Sequence, residues 1–449
     1  MEARYTIRKH QLLDECQVTP EIFEQVIPRL YTFMEPFVKI FPGQVAAHHA
    51  KTYVCGLLSN VERKNVESIA YRFGQARLPL QAFIGWDAWD DEPLRAELRR
   101  QVKTHLGQGD GVLVFDPSGF AKSGHESVGV ARQWCGRLGK VDNCQVAIYL
   151  GYVSRKGHTL VDPRLFLPKE WTQDKARLDK AGVPKASRAY RTRHQLALEM
   201  LAQNGVSLPH GWIAGDDEMG RPYWFRRRLA ALGERYLLAV PSNTAIRDLE
   251  TEPPEDSGRG RRARRPWSNV ALWSQALGDE AWQRIDVRDG SKGPLVVEAV
   301  KRRVVSRTHR RQQGDEETLV VIRYRDRDQH EVVKVDYSLS NAAPETPLWE
   351  FARVAKAEHR IEECLHRSKS ETGLADYEVR NWTGWQHHQT LSLLATWFLV
   401  RETARGKKMD PCDHLPADSP GHRHDLARGV SVWHDAEYAQ GVPEAITAQ

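Results

Sequence analysis

The stretch that decides the fold is Gly111-Val-Leu-Val-Phe-Asp116-Pro-Ser-Gly119. Four consecutive apolar residues, with Gly107-Gln-Gly-Asp-Gly111 before them and Pro117 soon after, have the length and punctuation of a buried strand rather than a helix. The run ends in an acid, so the strand should present Asp116 at its C-terminal end. Read alone, Asp-Pro-Ser-Gly is also good turn chemistry, and Asp116 could simply cap the turn that follows the strand.

The same signature recurs further along. Cys144-Gln-Val-Ala-Ile-Tyr-Leu-Gly-Tyr-Val153 reads as a partner strand, and residues 193–203 form an amphipathic helical pattern. Gly211-Trp-Ile-Ala-Gly-Asp216 is a second apolar run that ends in acids. A helical stretch over 221–232 and the strand-like Tyr236-Leu-Leu-Ala-Val-Pro241 complete an alternating α/β pattern. Upstream, residues 1–108 read as an N-terminal helical domain, with apolar residues three and four apart in Ala47–Lys64. Residues 109–242 are then the first part of an α/β core. Over 243–344, a Pro/Gly/Arg-rich entry (Pro253 to Pro266) leads into strand-like segments, which predicts a β-rich insertion. Helices resume over 345–405, and 406–449, rich in Gly, Pro, Asp and His, reads as a flexible tail.

Composition narrows the class. At roughly 100–200 residues per domain, 449 residues make two to four domains. No apolar run is long enough for a membrane span, and Met1-Glu-Ala-Arg-Tyr lacks a secretory h-region, so a soluble cytoplasmic protein is expected. Six scattered cysteines without a Cys-x-x-Cys pair point to a reduced compartment and not to a zinc site. Cys135 and Cys144 read as small buried apolar groups, and His414, His422, His424 and His434 lack zinc-ligand spacing. A net charge of +6 implies an anionic partner only where the cations cluster. They do so between Arg259 and Arg311.

Three acids stand out by position: Asp116 and Asp216 at strand ends, and Glu362 in a helix beyond the insertion. Three carboxylates together can hold two hard Mg²⁺ ions, which activate a water and stabilise the leaving oxygen in phosphodiester cleavage. Spacing alone is a weak signal, because a chain this long contains many such triples. Asp216 and Asp217 could instead cap a helix. Glu362 could be a solvated helix residue, although its i−4 neighbour Glu358 repels it rather than pairing with it.

Three blocks carry more than spacing. Val114-Phe-Asp116-Pro-Ser-Gly-Phe-Ala-Lys122-Ser-Gly with residues 127–146, then Trp212-Ile-Ala-Gly-Asp216, then Arg360-Ile-Glu362-Glu-Cys-Leu-His-Arg-Ser-Lys369 with residues 371–385, resemble the catalytic blocks of bacterial insertion-sequence transposases of the DDE superfamily. The likeness spans about residues 45–408. It implies an α/β fold, an RNase H-like catalytic core interrupted by a β-rich insertion, with a helical DNA-binding domain before it. It implies that Asp116, Asp216 and Glu362 hold two Mg²⁺ ions, with Mn²⁺ as a substitute. Lys369, two helical turns after Glu362 and on the same face, would contact a transposon-end phosphate. Lys122 and Arg360 are further DNA-contact candidates. This chain has Ala355 and Glu358 where relatives carry a Tyr and an Arg before the Glu, with Arg360 as a substitute. It reads Asp217-Glu-Met-Gly220 where Glu-Val-Tyr-Gly is usual, which makes Asp217 a rival to Asp216.

The partners expected are double-stranded DNA, as terminal inverted repeats and as target, and a second copy of the chain, since two ends are processed together. A bacterial cytoplasmic, nucleoid-associated protein follows. Arg261, Arg262, Arg264, Arg265, Lys301, Arg302 and Arg303 are candidate phosphate contacts, or else an ordinary solvated face. Trp267, Trp273 and Trp282 are either packing residues or platforms for an unpaired base. A transposase-derived DNA-binding regulator without catalysis is the rival from another class, and an RNase H-like nuclease acting on branched or hybrid substrates is a third reading.

Overall fold

The computed structural model describes residues 25–254, 265–290, 293–325 and 331–409. Arg261, Arg262, Arg264 and the histidine-rich tail beyond 409 lie outside the described residues.

Among the described residues five helices come first: α1 (Val26–Val38), α2 (Gln44–Leu58), α3 (Val66–Arg72), α4 (Arg77–Gly85) and α5 (Glu92–Leu106). Strands β1 (Val112–Ala121), β2 (Ala131–Cys135), β3 (Lys140–Ser154) and β4 (Gly157–Leu165) follow. Then come α6 (Arg193–Asn204), β5 (Trp212–Gly215), α7 (Tyr223–Ala231) and β6 (Tyr236–Ala239). Residues 245–340 supply β7 (Ala245–Asp248), β8 (Ser268–Asn269), β9 (Gln283–Gly290), β10 (Gly293–Arg307), β11 (Gln313–Arg325) and β12 (Val332–Ser340). Two long helices close the fold, α8 (Leu348–Glu371) and α9 (Trp382–Met409).

Local chemistry accounts for several of these boundaries. Helix α5 has Pro in its first turn, where no N–H donor is needed, with Glu92 at its positive end and Lys103 and His105 in its last turn. Its Leu94, Leu98 and Val102 recur every four residues and are wholly buried. The helical reading of Ala47–Lys64 holds only to Leu58. There Ser59 turns its hydroxyl onto the Gly56 carbonyl at 2.7 Å, and Asn65 caps the next helix by accepting from the Ser68 N–H at 2.8 Å. Thr192 and Gln195 form a full capping box at the start of α6.

The strands form one mixed sheet in the order β2-β3-β1-β5-β6-β12-β11-β10-β7-β8, with β4 also on β3 and β9 also on β10. Among the described residues only the β1–β5 and β5–β6 pairings are parallel. The β-rich segment therefore extends the core sheet, joined where Ser338, Leu339 and Ser340 pair with Ala239, Leu238 and Leu237. One hydrophobic cluster runs from Val26 through the β1–β6 half of the sheet to Leu399, so the first five helices share their core with the sheet. A second, smaller cluster (Val240, Ile246, Val270, Val300, Val304, Leu319, Val321 and Leu339) lies in the far half, whose Val297, Ala299, Val320 and Ile322 belong to the first cluster.

A buried ion pair locks the two halves together. Arg226 on α7 grips both carboxylate oxygens of Glu317 on β11, at 2.7 and 3.1 Å, and donates to Ser306 Oγ at 2.8 Å. Tyr236 donates its hydroxyl to the same carboxylate at 2.8 Å. Both charged side chains are 2% exposed. Removing the cation alone would leave a buried carboxylate without compensation, so Arg226→Met should cost about 3–5 kcal/mol in denaturant unfolding. The double change Arg226→Met with Glu317→Leu should recover most of that loss. A single variant as stable as the parent would show that this pair does not hold the sheet halves together.

Candidate active site

The two aspartates are brought together by strand register. In the parallel β1–β5 pair, Val112, Leu113, Val114 and Phe115 face Trp212, Ile213, Ala214 and Gly215. Asp116 and Asp216 each follow the last paired residue, side by side at the same end of adjacent strands, whose spacing is about 4.8 Å. Strand β1 does not stop at Asp116, as the sequence reading had it. It runs on to Ala121 against β3, with Asp116 opposite Tyr149 and Pro117 opposite Ile148. Only the β5 side is released there, and Pro117, which lacks an N–H, is tolerated at such an open edge. The Asp116-Pro-Ser-Gly turn that the sequence also allowed is thus continuous strand.

Asp216 has two roles. Its Oδ1 accepts from the Met219 N–H at 3.0 Å, capping a short helical turn, and the carboxylate also faces a cleft of about 600 Å³. Asp217 is outside that cleft, exposed and paired with Arg221 at 3.2 Å. Gly215 permits the close approach, because a Cβ there would stand 3.0 Å from the Met219 Cβ and 3.1 Å from the Phe115 carbonyl oxygen.

Helix α8 forms the opposite wall. It packs so tightly that a Cβ on Gly151 of β3 would lie 2.4 Å from the Ile361 Cδ1, which fixes the rotation of the helix. Glu358, Glu362, Leu365, His366 and Lys369 line the cleft with Asp116, Ser118, Asp216 and Asp376. Lys369 Nζ donates to Ser118 Oγ at 2.6 Å, two residues past Asp116. Glu362 lies at the rim. Its side chain is 71% exposed and its Oε2 is 3.6 Å from His359 Nδ1. Sequence reasoning named Glu358 only as a departure and a repelling neighbour. It passed over Ser118, His366 and Asp376, although all three sit inside the quoted blocks.

Crowded acids shift one another. Burial, then the charges of Asp216, Glu358 and Glu362, push Asp116 well above the usual carboxylate range, with Lys369 acting the other way. Burial lifts Asp216 to about 7, held back by the Met219 N–H and helped by Glu218 and Asp217. Burial, then Asp216, Asp336 and Glu362, raises Glu358 to about 8. Glu362 moves downward, chiefly through His359. An acidic, partly enclosed set of hard oxygen donors with little cationic compensation suits a divalent cation. Among the described residues, however, no three His, Cys, Asp or Glu side chains stand close enough to hold an ion as they are.

The remaining candidates are spread more widely. Lys122 is half-buried, sits 3.5 Å over the Tyr377 ring and donates to the Tyr377 carbonyl at 3.1 Å; burial lowers it to about 8. It ties β1 to the loop after α8. Arg360 reaches toward the Ser154 carbonyl, 3.4 Å away, on the β3 side of the helix. Lys301 donates to the Thr346 carbonyl at 2.7 Å, Arg302 pairs with Glu250 at 2.9 Å, and Arg303 pairs with Glu316. Arg265 donates to the Thr251 carbonyl. Arginines lie over all three tryptophan rings: Arg247 4.4 Å from Trp267, Arg302 6.0 Å from Trp273 and Arg323 4.2 Å from Trp282. Trp273 and Trp282 also pack on the smaller core.

Comparison with known proteins bears on this geometry. Residues 36–294 match the DDE superfamily endonuclease family, a span of more than half the chain that includes both aspartates and ends before α8. A probable transposase for insertion sequence element IS701 from Microchaete diplosiphon is 28% identical over 219 residues, covering 47% of this chain and 54% of that protein. The chain thus spans about half the length of this curated relative. A cryo-EM structure of the piggyBac transposase synaptic complex with hairpin DNA aligns over 97% of this chain and 82% of its own at 9% identity, with a TM-score of 0.40, a likeness too slight to argue from. With its two aspartates set side by side on β1 and β5, the chain belongs to the DDE superfamily of endonucleases.

Proposed function

We propose that the chain is a DNA transposase that cleaves phosphodiester bonds at transposon ends and joins the freed 3′-hydroxyl to target DNA. The observation that carries this reading is the β1–β5 register, which sets Asp116 beside Asp216 across a cleft from the Glu- and Lys-bearing face of α8. Strands β1 and β3–β6, in the order β4-β3-β1-β5-β6 with two antiparallel pairings followed by two parallel ones, fit an RNase H-like core. Asp116 and Asp216, with Glu362 from the rim, would hold Mg²⁺, or Mn²⁺ in its place. Two such ions would supply Lewis-acid activation of the attacking hydroxyl and stabilise the leaving oxygen.

The chain's own residues do the positioning. Lys369 stands beside Asp116, where its ammonium can meet a phosphate next to the scissile one as a point charge on a flexible stem. Water attacks the end phosphodiester and the 3′-oxygen leaves with a proton. That 3′-hydroxyl then attacks a target phosphodiester, one P–O bond forming as another breaks, without a covalent enzyme intermediate. Duplex DNA with terminal inverted repeats is the substrate, and a homodimer would hold the two ends. The internal pairing of Lys301, Arg302 and Arg303 turns the search for phosphate contacts toward the cleft. The exposed Glu362 favours a second reading, a transposase-derived DNA-binding regulator without catalysis. Nicking of end-containing duplex with Mg²⁺ separates the two.

Asp116→Asn and Asp216→Asn should abolish nicking and leave end binding nearly unchanged, since each is isosteric and removes only a charge. A variant still cutting within about tenfold of the parent, or ~1.4 kcal/mol in the barrier, would sink the assignment. Lys369→Ala should lower cleavage by around 10²-fold, more than it lowers affinity, because a small misplacement of the end is costly. Lys369→Arg should recover part of that loss.

The acids also set a pH dependence. A carboxylate raised in the folded state binds protons that the unfolded chain has released, so its effect on stability turns unfavourable as pH rises from about 4 toward its folded value. With Asp216 at about 7 and Glu358 at about 8, metal-free protein should melt at lower temperature at pH 8 than at pH 5.5. Mn²⁺ should raise the melting temperature more at pH 8 than at pH 5.5. An equal increment at both values would argue that the cation binds elsewhere.

A further inference from the structure

We propose that Lys64 is a positioning residue for strand cleavage: from the turn between α2 and α3 it holds the C-terminal end of α8, and through it the Lys369 ammonium at the cleft. The inference rests on the transposase reading above and names a residue that acts on that site from outside it. Lys64 is 5% exposed. Its Nζ donates to the Leu57 carbonyl in the last turn of α2, at 2.8 Å, and to the carbonyl of Glu371, the last residue of α8. One ammonium thus meets the negative ends of two helices, where a cation is favoured. Burial lowers it to about 8, with Asp376 and Glu371 acting the other way, so it is mostly charged at neutral pH.

The two segments are fastened at more than this point. The Lys64 backbone N–H donates to Asp376 Oδ2 at 3.2 Å, and Asn65 Nδ2 donates to Glu378 Oε1 at 2.9 Å. Gly373 has a φ of +64°, and a Cβ there would stand 2.7 Å from the Lys64 Cβ and 3.0 Å from the Leu57 Cδ2, so glycine admits the approach. Glu371 is two residues beyond Lys369, whose Nζ donates to Ser118 Oγ, and Asp376 lines the same cleft. Ile361 against Gly151 fixes α8 further up the helix, and Lys64 fixes its end. A helix end frays when its last carbonyls lose their partners. A displacement of about 1 Å at Lys369 is then enough to cost around 10²-fold in rate.

The test uses the full chain, Mg²⁺ and a duplex carrying the terminal inverted repeat that flanks the chain's own gene. Lys64→Met, which keeps the apolar stem and removes the ammonium, should lower the single-turnover nicking rate at saturating DNA by about tenfold or more. The Kd for the end should change by less than about threefold. Lys64→Arg, which keeps the charge, should recover part of the loss. In a double-mutant cycle with Lys369→Ala the two losses should not multiply, and the double variant should cut at about the rate of Lys369→Ala alone. Circular dichroism and a melting curve report that each variant is folded; if Lys64→Met is not, Lys64→Gln, which keeps a donor, takes its place. Parental nicking in the folded Lys64 variant, or losses that multiply as general destabilisation would make them, would overturn the inference and leave the transposase reading standing. Parental nicking in Lys369→Ala would overturn it too, since Lys64 would then have nothing to position. Nicking that survives Asp116→Asn would instead sink the transposase reading itself.

Discussion

The parallel pairing of β1 with β5 is the constraint on which the rest of the site depends. Antiparallel neighbours can be joined by a short hairpin, but parallel ones need a long crossover, and here nearly a hundred residues intervene between the two strands. That separation in sequence is erased by a register of four residue pairs, which ends on both strands immediately before an aspartate. Like charges released at one end of a sheet repel. The fold accepts this by burying apolar residues below them: Val112, Leu113, Val114, Phe115, Trp212 and Ile213 are all 1% exposed or less.

Helix α8 answers the same constraint from the other side. It carries two acids and a lysine into the cleft on one face, and packs Phe351, Val354, Ala357 and Ile361 into the core on the other side of its circumference. The core contacts fix its rotation, and the rotation decides which acids look inward. Glu358 and Glu362 differ by one turn along the same face, yet one is half-buried and the other is mostly in solvent. Helical periodicity alone treats them as equivalent.

The basic residues illustrate how a sheet spends its charges. Over Lys301–Arg303, Arg323 and Arg325, guanidinium and ammonium groups meet Glu250, Glu316, Glu298, Asp279 or backbone carbonyls. The β10–β11 register sets Glu298 directly opposite Arg323, and other partners come from neighbouring turns, so a run that looks like a phosphate-binding patch in one dimension is cross-linked in three. Arg302 and Arg323 also lie over the Trp273 and Trp282 rings, and Arg247 over Trp267, a contact that stiffens the outer sheet and occupies faces otherwise open to a base.

Much of the order of elements was legible in one dimension. The apolar run at Val112, the alternating α/β pattern to Pro241, the strands after Ser242 and the return to helix near Leu348 follow from local periodicity and from Gly and Pro punctuation, which depend on neighbours in sequence. The candidacy of Asp116, Asp216 and Lys369 was also readable, because strand ends and a two-turn helical offset are local properties. Tertiary structure decided what depends on distant partners. It carried β1 through Asp116 to Ala121, since β3 pairs where β5 no longer does. It joined the β-rich segment to the core sheet through β6 and β12. It chose Asp216 over Asp217 for the cleft, because capping Met219 turns one carboxylate inward while its neighbour reaches Arg221. It left Glu358 half-buried and Glu362 exposed, because the packing of Ile361 on Gly151 depends on a residue more than two hundred positions away, which no local pattern records.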